Sequence, residues 1–143
     1  MQKIKKNIIL LFVFLILVNA FAVAQTITIK NYKTGDIILR LDGNVIKDSN
    51  YNTIATINGN ILEDRNGNTI AAVYGNTINA ANGSTIASLY GNTIEAHNDY
   101  FKAEIDGHYI KERNGNTIAK IYGNPNKKQR FAILCLILII HNS

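Results

Sequence analysis

The sequence predicts an all-β fold built from antiparallel β-hairpin repeats of 16 residues. Three observations lead there. Glycine stands at 35, 43, 59, 67, 75, 83, 91, 107, 115 and 123, always in one phase of an eight-residue period. Only Tyr51 and Asp99 hold that phase without being glycine. Neighbouring octads alternate in character, so the repeating unit is two octads long.

The units run 34–49, 50–65, 66–81, 82–97, 98–113 and 114–129. Their first corner is Asn-Gly at Asn66-Gly67, Asn82-Gly83 and Asn114-Gly115. Their second corner is X-Gly, as in Asp42-Gly43, Asn58-Gly59, Tyr74-Gly75 and Asp106-Gly107. Asn follows that second glycine except at His108. Asn-Gly and Asp-Gly between apolar runs are strong hairpin signals, because type I′ turns need positive φ at both central residues. The segments between, such as TIAAVY, TIASLY and TIAKIY, are rich in β-branched and aromatic residues. A glycine in every octad would break a helix repeatedly.

Parity assigns the buried face. Unit positions 6, 8 and 13 share one side: Ala55, Ile57 and Leu62; Ala71, Val73 and Ile78; Ala87, Leu89 and Ile94; Ala103, Ile105 and Ile110. Position 5, held by Ile54, Ile70, Ile86 and Ile118, falls on the other face. That second apolar stripe faces solvent, a neighbouring blade or a partner.

The two ends are different in kind. Lys3, Lys5 and Lys6 precede an apolar run from Ile8 to Val18, and Ala22-Val23-Ala24 forms an A-x-A cleavage signal before Gln25. Residues 1–24 therefore read as a secretory signal peptide cut after Ala24, with a membrane-anchoring helix as the alternative. Residues 25–140 form the repeat domain. Its last run, Phe131 to Ile140, is ten apolar residues long. A spanning helix needs about 20. The run reads as a strand entering the interior, with a membrane-touching tail as the alternative.

Charge and cysteine narrow the classes. The 143 residues carry 15 basic and 10 acidic groups. Loss of residues 1–24 leaves 12 basic against 10 acidic, so the basic balance is mostly a leader property and gives no ground for nucleic-acid binding. Lys127, Lys128 and Arg130 form the one basic cluster. It is a solvated loop or a contact for anionic head groups or cell-surface polymer. Cys135 is the only cysteine and lies in the apolar run, so it reads as a small hydrophobe without a disulfide role.

Catalytic and metal motifs are not found. The histidines are His97, His108 and His141. His97, Asp99 and His108 fall near one hairpin, but the positions of the two histidines carry Arg or Asn in other units, so a metal site is not expected there. No nucleophile, phosphate loop or cofactor motif stands out, and no catalytic, cofactor or metal residue is assigned. Tyr74, Tyr90 and Tyr122 recur at one corner, as anchors over turns or as an aromatic ladder for carbohydrate. Unit 98–113 diverges most, with Tyr100, Phe101, Glu104, Tyr109, Glu112 and Arg113. It is either specialised or drifted, with Lys102 facing Glu95.

The runs Gly67-Asn68-Thr69-Ile70, Gly75-Asn76-Thr77-Ile78, Gly91-Asn92-Thr93-Ile94 and Gly115-Asn116-Thr117-Ile118, behind a leader and before an apolar tail, resemble the bacterial β-flower family. The likeness covers residues 34–140. It implies antiparallel hairpins set as petals around a pseudo-symmetry axis, a β-flower or barrel-like closed module, with the apolar tail towards the centre. It also implies, through that family's likeness to the tubby C-terminal barrel, proximity to membrane or lipid. It supplies no catalytic residue. The expected function is a secreted or periplasmic, non-enzymatic scaffold or binding module of the cell envelope, in contact with a membrane surface or envelope polymer. The alternative is a β-solenoid or curli-like fibre subunit.

Overall fold

A computed structural model describes residues 25–97 and 101–143. The leader, its cleavage site, Asp99 and Tyr100 lie outside the described residues. Among those described, twelve strands form one closed antiparallel barrel around one helix. The strands are β1 (Ile27–Asn31), β2 (Ile37–Asp42), β3 (Val45–Lys47), β4 (Thr53–Asn58), β5 (Ile61–Asp64) and β6 (Thr69–Tyr74). They continue as β7 (Thr77–Ala80), β8 (Thr85–Tyr90), β9 (Thr93–Ala96), β10 (Lys102–Asp106), β11 (Tyr109–Glu112) and β12 (Thr117–Tyr122). The helix is α1 (Lys127–His141).

Each strand pairs with its sequence neighbours, and β1 pairs with β12 to close the ring. The first five units each supply a hairpin. The sixth supplies β12 alone, and the N-terminal β1, outside the repeat phase, takes the missing place. A closed antiparallel ring is not a solenoid, and it leaves no free edge for stacking.

The turns differ in register from the Asn-Gly expectation. At the second corners the strands close directly around Gly-Asn: Asn58 pairs Ile61 across Gly59-Asn60, and Tyr74 pairs Thr77 across Gly75-Asn76. Gly75 has φ 61°, whereas the following Asn is not in the positive region. Positive φ at the first central residue alone is the type II′ pattern, which suits the strand twist as type I′ does. The first corners are longer. Asp64 O accepts from Gly67 N–H and Asp64 N–H donates to Asn68 O, enclosing Arg65-Asn66-Gly67. Gly67 sits at φ 83°. At the equivalent place Tyr51 adopts φ 66°, the only described non-glycine residue with positive φ. Gly75→Val should therefore destabilise by more than about 1 kcal/mol in chemical denaturation. Tyr51→Val should cost less, because the native residue already bears the strain. Equal costs would contradict this turn assignment.

Aspartates knit these corners. Asp64 Oδ1 accepts from Asn66 and Asn68 N–H, and Asp48 Oδ1 accepts from Asn50 and Asn52 N–H. Those bonds hold both carboxyls below the ordinary value, led by the Asn68 backbone N–H at Asp64 and the Asn52 side chain at Asp48. Asp42 is lowered too, first by its hydrogen bond from Lys47 and then by Thr26. A carboxyl depressed by folding stabilises the fold above its unfolded value, about 3.9. That contribution disappears as pH falls through the lower folded value. Thermal stability should thus change little through these groups above about pH 5 and decline below about pH 4. An Asp48→Asn, Asp64→Asn pair should show a shallower decline. An unchanged slope would contradict the role of these caps.

Inside, alternation holds and then breaks in a regular way. Positions 6 and 13 are fully buried, as in Ala55, Leu62, Ala71, Ile78, Ala87 and Ile94. Position 5 does not simply face outwards. The register slips by one residue opposite Ile38, Ile54, Ile70, Ile86 and Ile118. Each is the extra residue of a β-bulge, which resets parity, and each packs half-buried against the core. The second apolar stripe is therefore a row of bulges. Unit 98–113 has Lys102 at this position and pairs with β9 without a slip.

The expected final strand at 131–140 is instead α1. The interior placement holds: Phe131 to Leu138 are all buried. The physical reason for helix is hydrogen bonding. Every strand of the ring has two neighbours, so a strand on the axis would leave its N–H and C=O groups without partners, whereas a helix satisfies its own. A helix apolar on all sides is suited to burial all round. Fifteen residues give a length of about 22 Å, close to the roughly 20 Å of a six-residue strand. Room comes from the wall: the inward position 6 is alanine at 55, 71, 87, 103 and 119, all fully buried.

Candidate functional site at the barrel mouth

The start of α1 defines one end of the barrel. Asn126 caps it: its side chain accepts from Gln129 N–H, and Gln129 Oε1 accepts from Asn126 N–H. Gln129 Nε2 also donates to Gly43 O at 2.9 Å, tying the helix to the β2–β3 corner. Gln129 is the one buried polar residue described. Arg130 Nε donates to Pro125 O and its Nη1 to Asn92 Oδ1 at 3.1 Å, tying the helix to the β8–β9 corner.

Between these two ties the wall stands away from the helix. Position 8 is buried at Leu41, Ile57, Ile105 and Ile121 but only half-buried at Val73 and Leu89. Over those two opens a cleft of about 540 Å³, reaching Phe131 of α1. Its rim carries Asn60, Asn76, Lys127 and Lys128. Asn60 Nδ2 is held by Val73 O at 2.8 Å. Lys127 and Lys128 are exposed and make no ion pair with a described residue. The first turn of α1 has no acidic residue. Two cations thus sit at the positive end of a helix dipole, an arrangement that an anion relieves. The cleft can take an amphiphile with an anionic head at the lysines and a short apolar part over Val73, Leu89 and Phe131.

The other expected features are distributed as follows. The basic cluster is split: Lys127 and Lys128 reach the cleft rim, while Arg130 is used structurally. Tyr74, Tyr90 and Tyr122 are all exposed at this same end. Tyr74 and Tyr90 end the strands beneath the cleft, and Tyr122 lies on a different wall. His97 and His108 are not brought together. His97 Nε2 lies 3.2 Å from Ser88 Oγ beyond β9, at the end away from the mouth, whereas His108 forms part of the β10–β11 corner at the mouth end. Among the described residues, no group of three His, Cys, Asp or Glu is placed to hold a metal.

Cys135 is enclosed, and burial raises its thiol pKa strongly. Phe101 of the divergent unit is buried and stacks 4.2 Å from the His141 ring, closing the far end over the helix C-terminus. Lys102 pairs with Glu95 at 3.4 Å across β10–β9. No described helix is long and apolar enough to cross a membrane. Comparison of the chain with protein-family models, with curated proteins and with solved structures gives no match.

The cleft itself was invisible in the sequence. Val73 and Leu89 follow the same repeat pattern as their buried equivalents. Only the path of the helix exposes them. The Asn126-x-x-Gln129 spacing is a local signal for a helix start that is independent of the octad period.

Proposed function

We propose that the protein is a secreted or periplasmic, non-enzymatic binding module of the bacterial cell envelope, and that the barrel mouth holds the anionic head of an amphiphile. The carrying observation is the cleft of about 540 Å³ with an apolar floor under Lys127 and Lys128. A rigid barrel with an open end is suited to binding, because its walls hold the floor and rim in place without ordering cost. The leader with its Ala22-Val23-Ala24 signal supports export, and the likeness to the β-flower family supports an envelope setting.

The test is titration of the purified mature protein with an anionic lysophospholipid and with its zwitterionic counterpart of equal chain length. Saturable binding of the anionic form, weakened about tenfold in Lys127→Gln, Lys128→Gln, is expected. Ten-fold corresponds to about 1.4 kcal/mol. Equal binding of both head groups, or an unaffected double variant, would reject the mouth as a head-group site. N-terminal sequencing of the native envelope fraction should begin at Gln25. An intact Met1 on cytoplasmic protein would reject the envelope reading.

A further inference from the structure

Closing the barrel brings together residues from both ends of the chain. Alternation buries Ile27, Ile29, Leu39, Leu41, Ala119 and Ile121. It therefore turns Lys30, Arg40 and Lys120 outwards on β1, β2 and β12. Lys47 on β3 and Lys111 on β11 flank them. Five adjacent strands thus carry five outward cations. The outer two are neutralised, Lys47 by Asp42 at 2.8 Å and Lys111 by Asp106. The inner three make no ion pair with a described residue.

Aromatic rings face those three instead. Lys30 Nζ and Lys120 Nζ lie 5.2 and 5.1 Å from the Tyr122 ring. Lys120 Nζ is also 5.6 Å from Tyr109, and the Arg40 guanidinium is 4.2 Å from Tyr51. Tyr109 meets Tyr32 edge-on at 6.1 Å. Lys30 and Lys120 are direct cross-strand partners, so like charges stand opposite each other. That pairing is unfavourable by itself. Ring faces offset part of the repulsion, and a bound anion would offset the rest.

We propose that the outer wall across β12, β1 and β2 binds an anionic polysaccharide. Charge complementarity favours a polyanion: Lys30 and Lys120 are cross-strand partners about 5 Å apart, and Arg40, opposite Thr28, adds a third unpaired cation two residues further along the sheet. Glu63 and Glu95 stand on β5 and β9, away from this wall, and Asp42, at the end of β2, already accepts from Lys47 and Thr26, so the net field at Lys30 and Lys120 steers a polyanion to this face. The chemistry of the rings favours sugar over bilayer. Tyr32, Tyr109 and Tyr122 are exposed, and each offers an apolar face with a hydroxyl at its edge. The exposed large hydrophobics of the described barrel wall are all tyrosines; the one aliphatic, Ile140, is on the helix end. A surface that enters acyl chains would present Leu, Ile, Phe or Trp. This wall is separate from the mouth and does not depend on it.

Affinity electrophoresis of the mature protein through polygalacturonate, dextran and polyacrylate tests the proposal, with flotation on anionic phospholipid vesicles alongside. Retardation by polygalacturonate is expected, with none by neutral dextran and weaker retardation by polyacrylate, which has the charge without the rings. Lys30→Gln, Lys120→Gln should lose at least about tenfold in affinity with an unchanged melting temperature. Tyr122→Ala should lose affinity for polygalacturonate more than for polyacrylate. Lys127→Gln, Lys128→Gln should bind as the native protein does. The proposal is overturned by no retardation in polygalacturonate, by equal retardation in polyacrylate, by vesicle binding that the wall variants alone abolish, or by loss of binding in the mouth variant instead.

Discussion

Truncation after Lys128 is expected to abolish cooperative folding of the barrel. The cut removes Gln129 and the eight buried residues Phe131 to Leu138. Truncating one buried Leu or Ile to Ala costs about 2–5 kcal/mol. A domain holds only about 5–15 kcal/mol in total. Loss of a few such side chains already consumes that margin. The wall cannot collapse to fill the gap, because the strands are held at fixed spacing by their hydrogen bonds and the level that faces the helix most closely is alanine at 55, 71, 87, 103 and 119. The truncated chain should lose its thermal transition and bind a hydrophobic dye. Retention of the native melting temperature would show that α1 is a peripheral anchor. A single Leu134→Asp change should act in the same direction, since it buries an unpaired charge.

The second large effect concerns the seam. Removal of residues 25–31 takes away β1 and exposes edges on both β2 and β12. Ile27 and Ile29, both buried, leave the core at the same time. Two unpaired antiparallel edges are templates for intermolecular pairing. The shortened protein should be aggregated or oligomeric by size-exclusion chromatography, where the complete mature chain is discrete. Adding a synthetic peptide of residues 25–33 should recover part of the discrete species. A stable monomer without β1 would mean that the barrel closes by other pairings.

Repetition made the hairpins legible. Glycine in one phase and alternating apolar positions are local signals, and they locate the paired strands and most of the inward residues. The turn register was harder, because the second corners, His108 aside, read X-Gly-Asn, and both adjacent dipeptides suit a tight turn. The bulges were hidden in the same pattern: Ile54, Ile70, Ile86 and Ile118 looked like a second face because strict alternation has no place for an extra residue. The tail could not be assigned from composition. An unbroken Ile/Leu run suits a buried strand and a buried helix equally. Two features that separate them were present, namely the Asn126 and Gln129 cap pair and the column of alanines that leaves space on the axis. The seam wall was not legible at all. Lys30 and Lys120 stand 90 residues apart in the chain and become neighbours only when the ring closes.

Thiol accessibility offers the most direct test of the threaded helix, since Cys135 is the only cysteine. It lies mid-helix, 1% exposed, and burial holds the thiol protonated. The measurement is the rate of labelling by a disulfide reagent in native buffer and across a denaturant series. A helix enclosed by the barrel predicts negligible labelling of the native protein, with a rate that rises only as the chain unfolds. Prompt stoichiometric labelling of native protein, well below the denaturation midpoint, would place Phe131 to Ile140 outside the barrel and contradict the fold described above.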